Sequence, residues 1–204
     1  MRYFRWDIFE NKEPNPPLYH VDLDAALEFN GCNSMGYDFK YDSAKKVKGW
    51  KSIKVIRLEK SGRGKPPIQD NQTNLITVKL ISERAKKFFR AEKIAQAQYL
   101  PVEILFPKEA KARKYYILNL LNIVDCIDLN RTPHKITSDK DGVKELDLPF
   151  WRNEIIFDRE KIGEHKLFRL RYLESDFVVR EDLKNSIEKA GLTGFGFSEY
   201  GAQE

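Results

Sequence analysis

Two cysteines, two methionines and three histidines in 204 residues leave little material for several kinds of chemistry. Cys32 and Cys126 lie far apart in the chain, and no CxxC or HxxxH pattern stands near either. That spacing excludes a disulfide scaffold and offers neither a zinc site nor a redox pair, so the thiols are expected to be free and reduced. No window reaches the roughly 18 apolar residues that a membrane helix needs. The opening MRYFRWDIFENKEPNPP has no apolar h-region and no small-residue cleavage site. A soluble, cytoplasmic protein without membrane contact is expected. HExxH, GxSxG and paired-carboxylate motifs are missing. SGRGKPP resembles a phosphate loop only as far as Lys65, because Pro66 stands where a hydroxyl ligand for magnesium is required. GFGF at 194–197 starts like a dinucleotide fingerprint, but too little chain follows to build the phosphate-binding helix. No cofactor or metal is expected.

What the chain does have is charge, in an uneven distribution. Residues 40–65 hold ten Lys/Arg against Asp42 and Glu59, a local net charge of +8, whereas residues 174–204 carry seven acidic and three basic side chains. A basic segment of this size attracts nucleic acid, an anionic surface or an acidic protein; the plain alternative is a solvated face that keeps the protein in solution. Tyr37, Phe39, Tyr41 and Trp50 interleave with the lysines, which suits phosphate contact plus base stacking. Without an RNP sequence or zinc finger, segment 37–65 makes nucleic-acid binding an alternative rather than the first choice.

Apolar periodicity organises the rest. Strands are predicted in RYFRWDIF, SIKVIRLEK (52–60), LITVKLI (75–81), YLPVEILFP (99–107), EIIF, KLFRLRYLE, FVV and TGFGF. Pro101 and Pro107 suggest that 99–107 lies at a sheet edge or that they mark its ends. In KLFRLRYLE, Phe168, Leu170 and Tyr172 alternate with Arg169 and Arg171, predicting one packed face and one wet, basic face. A helix over about 82–94 is predicted from Ser82 as N-cap and from Ala85, Phe88 and Phe89 on one face. Helices are also predicted in VDLDAALEF and in EDLKNSIEKAG, the latter stopping at Gly191 in the left-handed C′ conformation. Residues 129–154 form a polar excursion with a hairpin around Asp141-Gly142. The class is α+β, a largely antiparallel sheet with two or three packed helices. An N-terminal lobe, 1–75, basic at 40–65, is expected to be continuous with a core at 76–204.

YYILNLLNIVDCID (115–128) is the most apolar stretch. It is predicted to be a central strand through about Leu121, followed by a turn or short helix into Asp128. Asp125, Cys126 and Asp128, with His134 nearby, make an enzyme site the second alternative. A nucleophilic cysteine needs a base within reach, and a buried cysteine is commonly a small apolar residue. Asp128 reads better as a turn carboxylate, and Gly194 as a site of close backbone packing.

The order ISERAKKFF, LPVEIL, YYILNLLNIVDCID, LFRL and VREDLKNSIEKAGLTGFGF resembles a bacterial immunity-protein family of polymorphic toxin systems, immunity family eleven. The resemblance covers about 76–198 and rests on motif order and on Asn119, Asp128 and Leu192-Thr193-Gly194. Members often carry a serine a few residues beyond the position of Asp128; here the chain reads LNRT, so that any role of the serine falls to Thr132 or is absent. The resemblance implies a non-enzymatic antitoxin that binds and blocks a cognate toxin domain. Candidate contact residues are Lys45, Lys46, Lys48, Trp50, Lys51, Arg63, Lys65 and Trp151. They are chosen because they lie in the variable half or in long connections. A basic inhibitor is steered fastest onto an acidic surface, so an acidic toxin contact face is expected. Asn119, Asp128, Gly191 and Gly194 are assigned structural roles.

Overall fold

The computed structural model describes residues 1–7, 20–21, 44–52, 54–58, 68–72, 78–140, 143–148 and 154–201. The predicted helix in VDLDAALEF and residues Arg63, Lys65 and Trp151 lie outside these.

Two sheets form the frame, and strands and helices together make the fold α+β. One sheet has six strands: β2 (His20–Val21), β3 (Lys54–Leu58), β4 (Asn71–Gln72), β5 (Leu80–Ser82), β6 (Ala97–Leu105) and β7 (Arg113–Leu120), in the order β2-β3-β6-β7-β5-β4. The other has five: β1 (Tyr3–Asp7), β8 (Ile123–Val124), β11 (Leu167–Leu170), β12 (Leu173–Arg180) and β13 (Gly196–Glu199), in the order β13-β1-β12-β11-β8. Pairing is antiparallel except at β3–β6 and β8–β11. A separate hairpin, β9 (Lys135–Lys140) with β10 (Val143–Asp147), falls where the Asp141-Gly142 turn is predicted. The first strand of the chain pairs with β12 and β13 from its end.

Helix α1 (Glu83–Ala91) begins where predicted: the Ser82 hydroxyl accepts from the Ala85 N–H, satisfying one otherwise orphan donor of the first turn. Its buried side chains are Ala85 and Phe89. A single turn, α2 (Arg159–Ile162), starts at Asp158. Helix α3 (Glu181–Lys189) buries Leu183 and Ile187 and is followed by Gly191 at φ +61°, a backbone region that glycine enters without steric cost.

The main core fills the space between the sheets. It joins Trp6, Leu167, Phe177 and Val179 from one sheet to Leu100, Val102, Ile104 and Ile117 from the other, and takes in α1 and α3. A second core on the far face of the five-stranded sheet packs Tyr3, Phe168, Leu170 and Val178 against Cys126, Ile127, Ile155, Phe157 and Tyr200. The apolar run at 115–128 connects the two. All of Tyr115–Leu120 is buried in β7, and the chain then crosses into the other sheet as β8.

Five expectations change. KLFRLRYLE is two strands and not one: β11 ends at Leu170, Tyr172 turns with φ +70°, and β12 starts at Leu173 and takes in FVV. Beyond Leu121 the chain forms the short strand β8 where a turn or short helix is predicted. β6 is an interior strand, although Pro101 is compatible with it: among the described residues β3 pairs with Glu103–Leu105 and no strand pairs with the flank beside Pro101. EIIF contributes a single bridge, Phe157 to Ile127, rather than a strand. Arg169 is fully buried instead of wet, because β11 sits between β12 and β8 with cores on both faces.

Candidate functional site

Between Ala44 and Leu58 there is no acidic residue. Residues 44–52 of that stretch form a strap along the flank of β6 that β3 does not reach. The strap starts at a left-handed residue, Ala44 at φ +51°, and turns at another, Gly49 at φ +69°. At Lys45 and Val47 its bonds to the framework run through its backbone. Val47 N–H donates to Gln98 Oε1 (3.0 Å) and Val47 C=O accepts from Gln98 Nε2 (2.6 Å), so a side-chain amide stands in for a neighbouring strand. Asn119 Nδ2 donates to the Lys45 carbonyl (2.9 Å) and to Gln98 Oε1 (3.2 Å). Two side chains anchor it. Val47 is buried, and Trp50 is half-buried with its indole N–H donating to the Pro101 carbonyl at 2.8 Å. Within a strand a residue's N–H and C=O project to the same side, so the donor that Pro101 lacks would face this same flank. The strap, rather than a strand, covers it.

Lys45, Lys46, Lys48 and Lys51 are all exposed, and Trp50 anchors the middle of the group. Of the candidate contact residues, the fold therefore brings five together.

The clamp continues inward. Asn119 is fully buried, and its Oδ1 faces Arg169 Nη2 at 3.5 Å. Arg169 also donates to the carbonyls of Leu120 (2.7 Å) and Glu174 (2.5 Å), and its guanidinium lies over the Phe177 ring at 4.5 Å. A second buried cation, Lys79, donates to the Trp6 carbonyl at 2.8 Å, with Trp6 and Phe177 rings beside it. Burial disfavours the ammonium and lowers its pKa to about 8, against the opposing pull of Asp7 and Asp176. Nothing local in the sequence marks either cation as buried, or Gln98 as a clamp.

Asp125, Cys126, Asp128 and His134 form a stitched turn. The Cys126 thiol has no exposed surface, and burial, with Asp125 adding to it, pushes its pKa up to about 12. A thiol so protonated near neutral pH is a poor nucleophile. Asp128 Oδ1 accepts from Asn130 N–H (3.0 Å), and the Asp128 carbonyl accepts from Arg131 and Thr132 N–H. Thr132 is buried; its hydroxyl donates to the Ile156 carbonyl (3.3 Å) and accepts from Ile156 N–H (3.0 Å). His134 is exposed and meets the Thr132 carbonyl through Nδ1 at 3.0 Å. Among the described residues, no three His, Cys, Asp or Glu side chains gather around a point where a metal ion would fit.

Leu192-Thr193-Gly194 also has a structural account. The buried Asp70 carboxylate accepts from Ser82 Oγ (2.6 Å), Arg84 Nη1 (3.1 Å) and Thr193 N–H (3.1 Å), tying the start of α1 to the segment after α3. Asn71 Nδ2 donates to the Gly194 carbonyl at 2.7 Å. Gly194 has φ +81°, and a Cβ there would run into the Asn71 carbonyl oxygen.

Motif order, the buried Asn119, the Asp128 turn and the Thr193-Gly194 node thus all lie in the scaffold. Consistent with this, residues 18–202 match the Immunity protein family (Imm11). The chain belongs to that family. The match reaches well upstream of residue 76, where the motif resemblance begins, and so takes in the strap. No curated protein matches the chain. In this immunity protein no described helix is long and apolar enough to cross a membrane.

Proposed function

We propose that this immunity protein acts without catalysis, in the cytoplasm, by binding a cognate toxin domain and blocking it through direct contact. Family membership across residues 18–202 carries the reading. The burial of Cys126 and the engagement of Asp128 in a closed turn support a scaffold role for the residues that look most reactive. The contact surface is the strap: Lys45, Lys46, Lys48 and Lys51 stand in solvent around Trp50 on a backbone already fixed, which limits the ordering entropy lost on binding. Arg63, Lys65 and Trp151 belong to the same proposal on sequence grounds. The toxin would present an acidic face to these lysines, since opposite potentials speed encounter and like potentials oppose it. A toxin with the basic groove of a nucleic-acid enzyme fits this surface poorly.

Co-expression with a toxin domain taken from a neighbouring gene tests the proposal. Growth should be rescued, and the two chains should copurify. Failure to rescue, or rescue without a complex, would overturn direct neutralisation.

A further inference from the structure

At positions 45 and 47 the framework holds the strap by backbone atoms. Gln98 grips the Val47 N–H and C=O, and Asn119 grips the Lys45 C=O. The side chains at 45, 46 and 48 take no part in those contacts, and all three are exposed. Asn119 is itself oriented from behind. Its oxygen faces the buried Arg169 guanidinium, a group that only donates, which directs the amide nitrogen toward the strap. Gln98 is aligned in turn by accepting from Asn119. Position 47 is a side-chain anchor, and Trp50 is a second one through Pro101.

We propose that the strap is an exchangeable specificity element: residues 45, 46 and 48 select the partner by charge, while Gln98 and Asn119 are positioning residues that hold the strap whatever those three side chains are. This rests on the toxin-binding reading and adds to it a division between fixing and selecting. The sequence around the strap contains no carboxylate from 44 to 58, so the partner selected by this version is an acidic protein surface. Replacing the three lysines should redirect the protein without remaking its core.

The test uses the full chain and has two arms. In the first, without any partner, amide hydrogen exchange at Val47 is compared in the wild type, in Lys45→Glu/Lys46→Glu/Lys48→Glu and in Gln98→Ala. The triple variant should keep Val47 protected and its melting temperature unchanged, and Gln98→Ala should raise exchange at Val47 at least tenfold. Loss of protection in the triple variant, or none in Gln98→Ala, overturns the division. The second arm measures affinity for the toxin domain that the wild type neutralises on co-expression, purified in an inactive form. Affinity should fall at least tenfold in both variants, with the salt dependence of binding reduced in the triple variant. Wild-type binding that the triple variant retains within twofold would overturn the inference and leave the immunity reading standing. A wild type that binds no such toxin would remove the direct-contact reading and the inference with it. A generic DNA duplex is the control: wild-type DNA binding lost in the triple variant, with toxin affinity unchanged, would assign the lysines to nucleic acid and overturn the proposal.

Discussion

Two groups of cations occupy opposite settings in this molecule. Lys45, Lys46, Lys48 and Lys51 stand in water on the strap, whereas Lys79 and Arg169 lie between the sheets, donating to backbone carbonyls and facing aromatic rings. In the strap the backbone is fixed and the charge is displayed; between the sheets the charge is enclosed and its hydrogen bonds fix other parts of the chain. Asn119 connects the two, with its oxygen toward Arg169 and its nitrogen on the Lys45 carbonyl. Charge of one sign therefore does two jobs. Which job a given lysine or arginine performs depends on whether its surroundings leave it hydrated.

The sharpest way to break this division is at Asn119. Asn119→Leu leaves the Lys45 carbonyl and one face of the buried guanidinium without their partner, and should cost about 3 kcal/mol in urea unfolding. A loss below about 1 kcal/mol would mean that the connection does not hold the fold.

Lys79→Met probes the enclosed side through pH. The folded chain releases the Lys79 proton near pH 8 and the unfolded chain near 10.5. Between these values the unfolded state binds more protons, so the stability owed to this group rises with pH, by up to about 3 kcal/mol. The variant should therefore compare best with the wild type below pH 8 and lose that advantage toward pH 10.5, as read from paired denaturation curves. A difference independent of pH would show that Lys79 is not buried as a charge.

Cys126→Ala tests whether the reactive-looking turn is scaffold. Removing one buried heavy atom should cost about 1 kcal/mol and leave toxin neutralisation intact. A well-folded variant that no longer protects cells would return the turn to the list of working parts. The smallest stability effect belongs to the displayed side: Lys45→Glu/Lys46→Glu/Lys48→Glu should alter unfolding free energy by no more than about 0.5 kcal/mol.

Some of this was legible before folding. Ser82 as the cap of α1, the helix in EDLKNSIEKAG and the apolar central strand at 115–120 all follow from period and cap chemistry, which act over a few residues. Alternation misled at Arg169 because a period-two pattern reports polarity and not solvent. β11 has cores on both faces, and a guanidinium supplied with carbonyls and a ring can be buried there. Pro101 misled similarly: it signals a missing donor, which an edge strand tolerates, but so does an interior strand flanked by a strap. The lysines were legible as a basic patch, and their arrangement on a fixed backbone was not.

Local sequence thus determined the class of the fold, its principal helices and most of its strands, and the family whose scaffold it shares. Tertiary structure alone decided which cations are displayed and which enclosed, and that Gln98 and Asn119 hold the strap. Those contacts join residues 51 and 74 positions apart, and no local propensity encodes a bond whose two ends meet only when the sheets have formed.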